Sequence, residues 1–263
     1  MTPLRTPFRP RAAAFAAAAL AAVALGGCNG VSREVTGAIG PSTQAPGDPS
    51  GLADFTARWQ ARYDSNPGDP TASIMFARAL RKQGRFGQAV AVMETALAKS
   101  PKDETILGEY GKALADKGDF AAAADALSRS YTPDRPRWDI LTAQGSVADQ
   151  AGDHASAQDF YRRSLAIRPG EPSTLADLGL SLALTKRLPA AEAALRQAAA
   201  GPGAGSRIRS DFALVLALEG KFGEARSVFA RDMPPAEADR DVAAVRAMIS
   251  QSEVWRGIGK KGA

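Results

Sequence analysis

The chain has 263 residues, 45% of them hydrophobic but only 6% aromatic, with one cysteine, one histidine and a formal net charge of +5. A lone cysteine excludes an internal disulfide framework, and a lone histidine leaves histidine-based metal or acid–base sites little to build from. Alanine-rich helical periodicity without a two-residue alternation excludes a β-rich fold and predicts an all-α protein.

The first segment reads as an export signal outside the fold. Arg5, Arg9 and Arg11 form a positive n-region, and Ala12 to Leu25 is an uncharged stretch of 14 residues. Crossing the hydrocarbon core takes about 20 residues, so the stretch is short for a membrane span and fits a secretory leader. It ends in Leu25-Gly26-Gly27-Cys28, which resembles the lipobox of bacterial lipoproteins. That resemblance implies removal of residues 1–27, diacylation of Cys28 and a lipid anchor. With Asn29 rather than Asp in the following position, it also implies sorting to the outer membrane, facing the periplasm. A plain signal peptide with an incidental cysteine, or a transmembrane anchor, are the alternatives. Removing the three leader arginines from 33 basic residues, against 28 acidic ones, leaves a net charge of about +2. The basicity therefore belongs largely to the leader, and nucleic-acid binding loses its support.

Residues 28–50 are rich in Gly, Pro, Ser and Thr and are expected to form a flexible tether, with an r.m.s. reach of roughly 25 Å. Residues 51–69 hold a helix from Leu52 to Asn66 with Phe55, Trp59 and Tyr63 at i, i+4 and i+8. This stripe is expected to cap the helical array that begins at Pro70; an anchor for a bilayer or a partner is the alternative.

From Pro70 onward the chain repeats itself every 34 residues. Gly84, Gly118, Gly152 and Gly220 mark the turns, and only Lys186 breaks the series. Small residues recur at Ala77, Gly111, Gly145, Gly179 and Ala213, and again at Ala89, Ala123, Ala157, Ala191 and Ala225. A bulky column comes four residues later: Met93, Leu127, Tyr161, Leu195 and Phe229. Each unit is expected to be two short helices around a turn, with small residues letting the backbones approach and the bulky one filling the space between neighbouring pairs. No such pair can hide its own apolar stripe, so copies must stack.

These columns and their period resemble the tetratricopeptide repeat (TPR) family. The resemblance implies a right-handed superhelical solenoid of helix-turn-helix repeats, here five, over 70–234. Lys186 and the absence of a tryptophan at the fourth position depart from the family pattern. Gly201 to Ser206 is an altered turn, because the register resumes after it. Residues 235–263 are expected to supply a C-terminal capping helix, Pro235 through Ile249, and a tail.

No metal, nucleophile or nucleotide motif occurs, no cofactor is implied, and His154 sits in a column otherwise held by Phe or Leu, so the expectation is a protein that is not an enzyme. The family resemblance implies a concave groove lined by first helices, contacting protein partners through the second, fifth, ninth, twelfth and thirteenth positions. Mapped onto this chain these include Ile74, Arg78, Arg81 and Lys82, then Lys112, Asp116, Asp139 and Asp149, then Leu180, Arg207 and Leu214. The groove is expected to run from basic through mixed acidic to apolar. Ordinary solvated faces, or cover by the chain's own C-terminal segment, are the alternatives.

Within the last third, Asp177-Leu-Gly-Leu-Ser-Leu-Ala-Leu184, Gly220-Lys-Phe-Gly-Glu-Ala225 and Asp232-Met-Pro-Pro-Ala-Glu237 are similar to TadD-type proteins of the tight adherence (Flp/Tad) pilus apparatus. That similarity implies an outer-membrane lipoprotein adaptor in pilus and secretin assembly. A TPR lipoprotein serving outer-membrane protein insertion or peptidoglycan enzymes is the alternative.

Overall fold

A computed structural model describes the backbone of residues 46–261 and side chains as far as residue 251, all within one compact unit. The expected signal peptide, Cys28 with its lipidation, and most of the expected tether lie outside these residues.

Twelve helices and no strand occur among the described residues. The first, α1 (Pro49–Ser65), precedes five hairpins: α2 (Pro70–Lys82) with α3 (Phe86–Lys99), α4 (Glu104–Lys117) with α5 (Phe120–Ser128), α6 (Trp138–Gln150) with α7 (His154–Ile167), α8 (Pro172–Leu184) with α9 (Leu188–Ala200), and α10 (Ser206–Leu218) with α11 (Phe222–Phe229). The last helix, α12 (Pro235–Lys261), runs on past Ile249, where the sequence stripe ends. The helix starts are chemically marked. Asp48, Asp69, Asp103 and Asp153 accept backbone N–H groups of the first turn, and proline opens α1, α2 and α8.

All five hairpin turns close in the same way. A 2.9 Å bond runs from the N–H of Arg85, Asp119, Asp153, Arg187 or Lys221 to the carbonyl five residues earlier. That closure needs a positive φ at the preceding residue, supplied by Gly84, Gly118, Gly152 and Gly220. In the fourth hairpin Lys186 adopts φ 61°, so the turn keeps its geometry without a glycine.

Within the second, third and fourth hairpins the small column takes the bulky column directly. A Cβ added at Gly111 would lie 2.7 Å from Leu127, one at Gly145 2.5 Å from Tyr161, and one at Gly179 2.6 Å from Leu195. The bulky residue therefore packs on the notch of its own hairpin. Phe55 and Trp59 of α1 are buried against the first hairpin, and Tyr63 stacks at a tilt 5.6 Å from Phe76. At the other end Ala238, Val242 and Val245 of α12 are buried against the last hairpin.

Candidate functional site

Contacts between helices define which side of the stack is concave. Each first helix touches the next one, α2 to α4, α4 to α6, α6 to α8 and α8 to α10, and α10 touches α12. The backbones of successive second helices, α3, α5, α7, α9 and α11, do not come so close, although side chains bridge α9 and α11, where Arg196 lies 3.6 Å from Glu224 and Glu192 lies 2.6 Å from Lys221. The stack therefore closes on the first-helix side, and that face is the candidate site.

Its N-terminal half is occupied by the protein's own charges. Glu109, on α4, is almost fully buried at 2% side-chain exposure, with Arg78 at 2.6 Å, Lys112 at 3.2 Å and Arg81 at 3.6 Å. Arg81 also reaches Asp116 at 2.5 Å, and Lys112 reaches Asp139 at 2.6 Å. One network thus ties α2, α4 and α6 together. Burial alone would push the Glu109 carboxyl up; the hydrogen bond from Arg78 and the charges of Lys112, Arg78 and Arg81 more than reverse this, to about 2. The expected basic stretch is thereby corrected: Arg78, Arg81 and Lys112 are neutralised by acids of the next repeats. Ile74 is also misplaced as a groove residue, because the helix turns it into the N-terminal core at 8% exposure.

The middle of the face is a polar knot. Asp149 accepts hydrogen bonds from Ser181 Oγ (2.8 Å) and Tyr161 OH (3.1 Å), and His154 Nδ1 lies 2.8 Å from the same carboxylate. Ser181 bonds to Asp149 and not to His154, and the arrangement fastens α6, α7 and α8 to one another. Burial pushes the Tyr161 hydroxyl well above its ordinary range.

The C-terminal half differs. Asp177, Leu180 and Leu184 share one face of α8 at i, i+3 and i+7, and Asp211, Leu214 and Leu218 repeat that face on α10. Leu184 is 50% exposed; Leu180, Leu214 and Leu218 are half-buried. No hydrogen bond or ion pair reaches Asp177 among the described residues. Burial, with Asp211 and Asp149 adding to it against the opposing charge of Arg207, raises its pKa to about 6. Asp211 has a buried Oδ2 without a hydrogen-bond partner, and Arg207, 81% exposed, stands 3.9 Å away. Burial raises the Asp211 carboxyl as well.

Glu109, Asp177 and Asp211 are absent from the groove positions expected from the sequence. All three stand at the sixth position of their repeats, and the 34-residue columns would have shown them, since Met75, Glu109, Ala143, Asp177 and Asp211 align. Among the described residues no group of acids, histidines and cysteines is placed to hold a metal ion.

Residues 74–138 and 142–206 match the family model for the tetratricopeptide repeat. No curated protein sequence matches the chain. Among solved structures it resembles the Cut9–Hcn1 hetero-tetramer of the APC/C at TM-score 0.63 and 11% identity, over 76% of this chain and 40% of that one. It resembles the human IFIT1 dimer with m7Gppp-AAAA at TM-score 0.62 and 13% identity, over 74% of this chain and 50% of that one. Pseudomonas aeruginosa pilF is similar at TM-score 0.54 and 18% identity, over 69% of this chain and 81% of that one. At such identities the likeness concerns the fold, and the chain spans well under two thirds of the first two structures. The protein is an all-α solenoid of tetratricopeptide repeats. That architecture is a scaffold suited to protein–protein interaction.

Proposed function

We propose that the protein is a non-enzymatic scaffold that holds a protein partner on its first-helix face, and that it does so as an outer-membrane lipoprotein of the Flp/Tad pilus machinery. The single observation that carries the scaffold role is the concave face itself, where Leu184 stays half exposed beside incompletely paired carboxylates. Leu180 and Leu184 lie one turn apart on α8, as Leu214 and Leu218 do on α10, so that apolar side chains adjoin on this face. Support for the envelope setting comes from the Arg5 to Cys28 leader, and support for the pilus role from the stretches that resemble TadD-type proteins. The acyl group on Cys28 would hold the solenoid at the membrane while the groove engages the secretin or another assembly component.

Deleting the gene should abolish surface pili and the detergent-resistant secretin multimer, and Cys28→Ser should release the protein from membranes and reduce both. Normal pili with a normal multimer in the deletion strain would remove the pilus role. A Cys28→Ser protein that stays membrane-bound would remove the lipid anchor.

A further inference from the structure

The two halves of the concave face handle the same problem differently. In the N-terminal half an acid at the sixth position is met by cations at the ninth: Arg78 and Lys112 hold Glu109. In the C-terminal half acids return at the sixth position, but the ninth and thirteenth positions carry leucine. The cation that faces them is Arg207, itself largely in solvent and beyond hydrogen-bond distance of Asp211. A partly desolvated carboxylate without a close cation is costly, and the fold shows in Glu109 what removes that cost. The same surface offers contiguous apolar side chains.

We propose that Asp177, Leu180, Leu184, Asp211, Leu214 and Leu218 form a docking face for a partner segment that carries lysine or arginine flanked by apolar side chains. The proposal rests on the scaffold role above and specifies its ligand. Charge complementarity selects the cation, since an anionic segment would bring a third charge of the same sign beside Asp177 and Asp211. The leucines set the contact area and the acids set the register, because the identical faces of α8 and α10 present two equivalent subsites one repeat apart.

Full-length protein is titrated with labelled short peptides composed of leucine, serine and lysine, with a matched set in which every lysine is glutamate, and with one in which every leucine is serine. Anisotropy at neutral pH and low salt should show the leucine–lysine set binding at least about tenfold tighter than either control. Asp177→Asn with Asp211→Asn should bring the leucine–lysine set down to the level of the glutamate set. Leu184→Ser, at a position half exposed to solvent, should weaken all leucine peptides, and Gln88→Ala, at an exposed position of α3 away from the face, should change nothing. Equal binding of lysine and glutamate peptides, still lost in Leu184→Ser, would overturn the cation preference while leaving the scaffold role standing. Absence of binding by every set would overturn the docking face, and partner capture in the pilus experiments would then decide the scaffold role separately. Tenfold tighter peptide binding after removal of residues 252–263 would assign the face to the chain's own end, and self-association lost in Leu184→Ser would assign it to a second copy. Either result overturns an external partner.

Discussion

Glu109 and Asp177 stand at the same position of their repeats and meet opposite environments. Glu109 titrates near 2, well below the ordinary 4.5, so its contribution to stability is present above pH 4.5 and is lost as pH falls towards 2. Glu109→Gln should cost about 3 kcal/mol at neutral pH, by leaving Arg78, Arg81 and Lys112 facing one another, and should flatten the acid limb of a urea-midpoint-versus-pH profile. Asp177 has the reverse sign. Its folded pKa of about 6 lies above the ordinary 3.8, so the native state binds the extra proton and stability falls as pH rises from 3.8 through 6. The groups facing it are Arg207 and Asp211 from α10, Asp149 from α6 and Tyr161 from α7. Asp177→Asn should therefore stabilise the free protein at pH 7.5 by about 1–2 kcal/mol and do little at pH 4, as read by urea denaturation. At the fourth turn, Lys186→Gly should add about 0.5–1 kcal/mol, since a lysine side chain at φ 61° carries a strain that glycine does not.

At the scale of helices, the sequence columns were legible because each expresses a short-range steric demand. A turn that closes by a bond from residue i+5 to residue i needs the left-handed conformation, and four glycines announce it. The notches at Gly111, Gly145 and Gly179 were equally visible, although which bulky residue enters them was not, because spacing alone does not say whether contact is made within a hairpin or across to the next. Gly145→Ala should cost about 1–3 kcal/mol through the clash with Tyr161, seen as a lower denaturant midpoint with unchanged helix content by circular dichroism. The length of α12 escaped sequence inspection, since the stripe stops at Ile249 and Gly257 and Gly259 beyond it are poor helix formers.

For the whole stack, the order of repeats came from the period and the concave side from the family resemblance, but the character of the groove came from neither. Positions nine, twelve and thirteen suggested a basic end; partners 31 and 35 residues away, Glu109 for Arg78 and Asp116 for Arg81, offset two of these charges. Charges read one repeat at a time cannot show a neutralisation that exists only between repeats. Each hairpin touches its neighbours alone, so damage should stay local. Removing residues 46–66 should uncover Phe76, and should lower hydrogen-exchange protection in α2 and α3 while leaving α8 to α11 unchanged.

The separation of successive outer-helix backbones, bridged only by side-chain ion pairs between α9 and α11 among the described residues, gives the molecule one soft direction. Like a coil spring wound on a fixed inner wire, it can alter its pitch by fanning the outer rim at the expense of exposed ion pairs, each worth little, instead of core packing. A guest larger than the resting cleft would then be accommodated by many small rotations shared among the hairpins, at a cost spread along the coil instead of concentrated in a single hinge.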